Sequence, residues 1–329
     1  MGFLKNILLL NAGTRNTLVQ NFINTINGEG EIITTDNYKL APALYETHRR
    51  YVTKRWDEAG YWDEIEAICD KENIGLILSL VDPELELLAE QKARFERKKI
   101  IVNIGDVQTI KDTFDKYKTL SFIKSHGYNW IKSYICFEEI EKAIEDEKIS
   151  FPIITKPRKG SGSAGIEIVY DIDRLKHRFI ENEDLLAQEF IKGSEIGVDI
   201  YVDLISDEVV SIFAKKKLKM RAGETDKSVS FKDEKLFGLI SAFANDFGLK
   251  GVNDIDVFEK DGEYYISEVN PRFGGGYVHA YAAGVDFPKL LINNMNGIVN
   301  KNQIGLYKED IYMMKYFAIK VLGKDELKS

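Results

Sequence analysis

The spacing of apolar positions changes twice along the chain. Up to about residue 109, short continuous apolar runs alternate with charged amphipathic stretches. The runs are KNILLLN (5–11), EIITTD (31–36), IGLILSL (74–80) and KKIIVNI (98–104). Between them lie Arg15 to Ile26, YWDEIEAICDKEN and PELELLAEQKARFERK. Such runs fit strands buried on both faces, so this part predicts a parallel sheet with helices on its faces. A helix, DTFDKYKTLSFIKSHG, stops at Gly127 and opens a smaller lysine-rich module that ends near Glu183. Beyond it LLAQEFI, EIGVDIYVDLI, EVVSIFAKKKL, GVNDIDVFEK and EYYISEVN alternate in the two-residue rhythm of a half-buried strand. They predict a mostly antiparallel sheet, with helices at 232–248 and 286–296. Three units follow, 1–109, 110–184 and 185–329: an α/β part followed by an α+β part.

Composition narrows the function. Of the 329 residues 44% are hydrophobic and 30% charged, ordinary for a soluble globular chain. The net charge of -8 argues against a general nucleic-acid or anionic-membrane partner, although a local basic pocket stays open. Two cysteines, Cys69 and Cys136, make neither a disulfide framework nor a zinc site. The opening MGFLKNILLL has too short an apolar run for a signal peptide, and no run reaches the ~18 apolar residues of a membrane helix. The expectation is a cytoplasmic soluble enzyme or binding protein.

Three stretches carry candidate chemistry. In FPIITKPRKGSGSAGIEIV (151–169) a strand delivers Lys156, with Arg158 and Lys159 beside it, to a glycine-serine loop. Its bare N–H groups suit an anion, although a glycine-serine loop is also an ordinary linker and no Walker motif is present. GVNDIDVFEKDGEYYISEVNPRFGGG (251–276) reads as two strands joined at Asp261-Gly262. One extra residue in the turn, as a glycine bulge, sets Asp256 opposite Glu268 and Asp254 opposite Asn270 on one face. Carboxylates and an amide gathered this way suit Mg²⁺ or Mn²⁺; the plain alternative is a solvated acidic face. LLAQEFIKGSEIGVDIYVD (185–203) reads as a plain hairpin in which Glu195 could accept from a ribose. NAGTRN and SLVDPELE fall where strands meet loops, which makes Arg15, Asp82 and Glu84 candidate substrate contacts.

In this order and spacing the three stretches resemble the ATP-grasp superfamily, in the branch built like the synthetase halves of the carbamoyl phosphate synthase large subunit. The resemblance implies a Rossmann-like N-terminal domain, a small central lid and a C-terminal domain with a mixed or antiparallel sheet. It implies ATP and two ions of Mg²⁺ or Mn²⁺ as cofactors. Lys116, after Asp115, and Lys156 match phosphate-binding lysines. Gly160, Ser161, Gly162, Ser163 and Gly165 match the phosphate-covering loop. Gln188, Glu189 and Ile191 match the segment that meets adenine, and Glu195 the ribose-binding acid. Asp256, Glu268 and Asn270 match the metal ligands, with Asp256 standing where the branch commonly has Gln. Arg272 matches the arginine that stabilises the transferred phosphoryl group.

KKKLKMRAGETDKSVSF (215–231) resembles a segment of stand-alone members of this branch, which implies that Arg221 and Glu224 line the acceptor pocket, with Gly274 and Gly275. Arg221 joins Lys156 and Arg272 as a candidate catalytic residue. The outer lysines from Lys215 to Lys219 read as a solvated strand, so that Lys217→Ala is expected to do little. His279 is a candidate base or, more simply, a packing histidine. The resemblance implies a carboxylate–amine ligase acting through an acylphosphate, possible as a homodimer, on a small acid and amine. A half-synthetase acting on bicarbonate, a kinase, or a nucleotide-binding regulator stand as alternatives.

Overall fold

The computed structural model describes residues 5–160 and 165–327. Strands β1 (Asn6–Leu10), β2 (Ile32–Asp36), β3 (Arg49–Val52), β4 (Ile74–Ser79) and β5 (Ile101–Val102) form one parallel sheet in the order β3-β2-β1-β4-β5. Helices α1 (Asn16–Ile26), α2 (Tyr61–Lys71) and α3 (Asp82–Glu96) connect them. The alternation within β1 divides its neighbours, because successive side chains leave opposite faces. Ile7 and Leu9 join the apolar cluster that holds Phe22 of α1. Leu8 and Leu10 join the one that holds Ile65 of α2 and Leu88 of α3. Edge strand β3 was not foreseen: its RRYV is too polar and too short to register as a buried run.

The single helix expected up to Gly127 is two, α4 (Val107–Phe114) and α5 (Lys116–Ser125). The break is Asp115, whose extended backbone ends one helix and whose carboxylate caps the N–H groups of Tyr117 and Lys118 in the next. After β6 (Ser133–Tyr134), α6 (Phe137–Glu145), β7 (Ile153–Pro157), β8 (Glu167–Val169), α7 (Ile172–Glu181) and β9 (Leu185–Glu189), the four strands form an antiparallel sheet in the order β6-β9-β7-β8. Strand β9, expected to open the third unit, is therefore hydrogen-bonded into the second.

The third sheet takes β10 (Ser194–Val202), β11 (Val209–Arg221), β12 (Glu224–Phe231), β13 (Gly251–Lys260), β14 (Glu263–Asn270) and β15 (Tyr312–Met314). It runs β14-β13-β10-β11-β12-β15, antiparallel throughout. Helices α8 (Glu234–Phe247), α9 (Tyr277–Ala283) and α10 (Phe287–Met295) accompany it, and Phe243, Tyr277 and Phe287 pack into the same apolar cluster as Phe22 of α1. The first and third units thus share a core. Among the described residues no helix is long and apolar enough to cross a membrane.

Candidate functional site

The hairpin β13–β14 sets the geometry. Asp256 pairs with Glu268 and Asp254 with Asn270, as the sequence predicts, but the expected bulge is not in the turn. Asp261 and Gly262 both take positive φ, 55° and 76°, which makes a tight two-residue turn whose twist matches the strands. The register shifts instead beyond Asp256, where Val257 pairs with Ile266, so Ser267 is the extra residue. One bulge of either kind restores the same pairing.

The hairpin's polar face opens on a cavity of about 670 Å³, lined by Lys116, Lys156, Asp254, Asp256, Glu268, Asn270 and Arg272. It is lined also by residues at the ends of the parallel strands, among them Asn11, Arg15, Asp36, Trp56 and Asp82. A volume of this size is that of a small-molecule site. Lys116 opens α5, its backbone N–H bonded to the carbonyl of Arg158, and its ammonium lies 3.6 Å from Glu268 while donating to the carbonyl of Gly160. Lys156, on β7, is 7% exposed and has no ion pair within 4 Å among the described residues. Burial lowers its pKa, against the attraction of Glu268. A buried ammonium left unpaired in a cavity wall fits an anion that arrives from outside.

Arg272 is already engaged. It donates to both oxygens of Asp82, at 2.8 and 3.2 Å, and to Asp254 at 3.3 Å. Burial alone would lower its pKa, but Asp82 and Asp254 raise it, so the guanidinium stays charged. Glycines close the floor beneath it. A Cβ on Gly274 would stand 2.5 Å from the Asp254 carboxyl carbon, and one on Gly276 would stand 2.9 Å from Lys215.

The lysine run corrects the solvated-strand expectation. Lys215 is 1% exposed and is paired with Asp199. The Lys217 side chain is 5% exposed and bridges Glu195 at 2.8 Å and Asp256 at 2.7 Å. Gly197 makes room for both, since a Cβ there would meet Lys215 at 3.0 Å and Lys217 at 3.2 Å. Lys216 alternates outward between these two, and beyond the register shift at Leu218 Lys219 is exposed as well. Burial pushes the Asp256 carboxyl up to about 6, against the pull of Lys217. The Lys217 ammonium thus sits against the Asp256 carboxylate and offsets its charge.

Among the described residues no three acidic, histidine or cysteine side chains are placed to hold a metal ion by themselves. Asp256, Glu268 and Asn270 offer two carboxylates and an amide on neighbouring register positions. This hard-oxygen set fits an ion that completes its coordination with phosphate and water.

Two family models match the chain: one described as a PylC-like N-terminal domain over residues 7–103, and one described as an ATP-grasp domain over residues 113–276. The chain belongs to the ATP-grasp family. It is 30% identical over 204 residues to a D-alanine–D-alanine ligase of Fervidobacterium nodosum, covering 55% of this chain and 64% of that protein. It is 28% identical over 142 residues to a carbamoyl-phosphate synthase of Methanobrevibacter smithii, covering 42% of this chain and 38% of that protein. The chain thus spans less than two thirds of these curated relatives. The structure of biotin carboxylase from Campylobacter jejuni superposes with a TM-score of 0.74 at 18% identity, over 94% of this chain and 74% of that one. That likeness shows the shared ATP-grasp fold.

Within this ATP-grasp chain several candidates stand apart from the cavity. Glu84 is fully buried and accepts from Tyr61, Ser79 and Asn11; burial raises its pKa, so it is a strut behind Asn11 rather than a substrate contact. Arg221 turns away to Asp226 at 3.2 Å and stacks on Phe317, which corrects its place in the acceptor pocket. His279 is 1% exposed, with Nδ1 on Ser228 and Nε2 on the carbonyl of Ile311, each at 2.8 Å. Burial pulls its pKa down to about 4, and with both nitrogens engaged it is a packing histidine, not a base.

Arg158, which looked like a phosphate ligand, is bonded to Asp115 at 2.7 and 2.5 Å. Gln188 donates to Ser133, and Ile191 is in the apolar core; neither they, Glu189 nor Glu195 line this cavity. Gly160 does line it, while the Gly165 carbonyl accepts from Arg178. Ser161, Gly162 and Ser163 lie outside the described residues. Glu224 and Gly275 line the cavity as expected. Sequence reasoning missed Lys217, Asp36 and Trp56. Alternation along β11 could have found Lys217, and the strand-end position of Asp36 could have found that residue.

Proposed function

We propose that this ATP-grasp chain is an ATP-dependent C–N ligase that activates a small carboxylic acid as an acylphosphate. A carboxylate oxygen attacks the γ-phosphorus, the bond to ADP breaks, and an amine then displaces phosphate from the acyl carbon. The reading rests on one observation: Lys116, Lys156 and Arg272 converge with Asp256, Glu268 and Asn270 on a single cavity. Transfer between two anions needs fixed positive charge around the phosphoryl group, and these cations supply it. Asp256, Glu268 and Asn270 would hold Mg²⁺ or Mn²⁺, which when bound neutralises phosphate oxygens. Gln188, Glu189, Ile191 and Glu195 belong to the nucleoside end, outside this cavity. The partners on this reading are a small carboxylate and a small amine.

The test is ADP release with Mg²⁺ against panels of carboxylic acids, bicarbonate included, with hydroxylamine as trap. Acid-dependent ADP release with matching hydroxamate is expected. ADP release that no acid stimulates would overturn the reading. Glu268→Ala is expected to lower turnover by about a thousandfold with ATP binding retained, the scale of losing charge stabilisation in transfer; undiminished activity would sink the assignment.

A further inference from the structure

The far end of the cavity is built by the N-terminal sheet, and the phosphoryl-transfer residues make no use of it. Asn11, Gly13 and Arg15 follow β1, Asp36 and Asn37 close β2, and Trp56 follows β3. These are the carboxyl ends of parallel strands, where α/β sheets bind ligands.

Two charges there are unspent. Asp36 is 6% exposed, and its oxygens accept N–H bonds from Gly13 and Tyr38, both at 2.8 Å. No cation lies within ion-pair distance of it among the described residues. Arg15, two residues beyond Gly13, donates no side-chain hydrogen bond to a described residue. Its nearest acid is Glu224 at 3.9 Å, and Glu224 is already taken by Lys315 at 2.6 Å. Burial and then Arg272 lower the Arg15 pKa, which marks a place that favours an incoming anion. Arg55 at the rim is not free in the same way, being held by Asp57 at 3.1 Å and packed over Trp56. A buried carboxylate without a cation, and a guanidinium whose one nearby acid is held more closely by a lysine, are both costly unless a ligand answers them.

We propose that this end of the cavity binds an amino acid as its zwitterion, with the carboxylate on Arg15, the ammonium on Asp36 and Trp56 alongside. The guanidinium fork matches a carboxylate, and the remaining lone pairs of Asp36 suit an ammonium. A sugar hydroxyl could also reach Asp36, but it would leave the buried charge uncompensated. The proposal rests on the ligase reading for the fate of the amino acid, which would be one of the two molecules joined, and not for its binding.

Calorimetric titration of the full chain tests it, without and with ADP, using L-, D- and ω-amino acids. Each is set beside its deamino acid and its decarboxylated amine. At least one amino acid is expected to bind, and removal of either charge to weaken it tenfold or more. Arg15→Gln is expected to weaken the amino acid at least tenfold. Asp36→Asn is expected to weaken the amino acid to the level of its deamino acid, whose own affinity stays unchanged. Because Asp36 also holds the turn at Gly13, the ligand series and Arg15→Gln decide the matter if that variant misfolds. Binding of a hydroxy acid or sugar acid as tight as that of any amino acid, or no amino-acid binding at all, overturns the proposal. Amino-acid binding with no acid-dependent ADP release would spare the site and fell the ligase. Hydroxamate formation with no amino-acid binding would do the reverse.

Discussion

Lys217 lies across Gly197 with Glu195 on one side and Asp256 on the other, and its surroundings decide what its loss does. Truncating it leaves two carboxylates without their cation, at a cost below the ~3–5 kcal/mol of a fully buried pair because both carboxylates reach solvent. Lys217→Ala is therefore expected to lower the midpoint of thermal unfolding by several degrees and turnover by more than a hundredfold, whereas exposed Lys219→Ala changes neither. Equal behaviour of the two variants in a melting curve and an ADP-release assay would refute the role. Residue types were legible here but residue loyalties were not. Arg158 and Lys156 stand two positions apart in the same basic cluster, yet one is spent on Asp115 and the other is unpaired in the cavity wall. Asp115 is 43 positions from Arg158, and no local pattern joins them.

At the scale of elements the apolar rhythm located the long strands, because their burial is periodic and their turns carry Asp-Gly or Gly. What it could not see are pieces defined by tertiary partners: β3, β12 and α9. Helix α9 is short and hydrophobic, and its His279 is buried against Ser228 of β12 and the Ile311 carbonyl. That contact carries a pH signature. The ordinary histidine pKa is 6.5 and the folded value is about 4, so protons bind the unfolded chain more readily. The stabilisation is complete above pH 6.5 and is lost as the pH falls from there toward 4, amounting to about 2 kcal/mol between pH 7 and 5. Denaturant unfolding at both pH values should show this loss in the native chain and a smaller one in His279→Gln. The same slope in both would place the sensitivity elsewhere.

For the whole molecule, the cavity lies between a parallel sheet and an antiparallel one, and the ion pair of Asp82 with Arg272 spans them. Asp82 opens α3 of the first unit and Arg272 follows β14 of the last, 190 positions later. Neither stretch announces the other, and only the fold brings them together. On the ligase reading, Arg272 must trade Asp82 and Asp254 for a phosphoryl group before it can assist transfer. Asp82→Asn loosens that hold and is expected to raise ADP release in the absence of acid severalfold, and an unchanged background rate would count against the exchange. On that reading the pair would act as a brake on waste, since an arginine occupied by two aspartates is poorly available to help water attack the nucleotide. How much ATP the resting chain leaks would be set by those aspartates, and not by the quality of its phosphate grip.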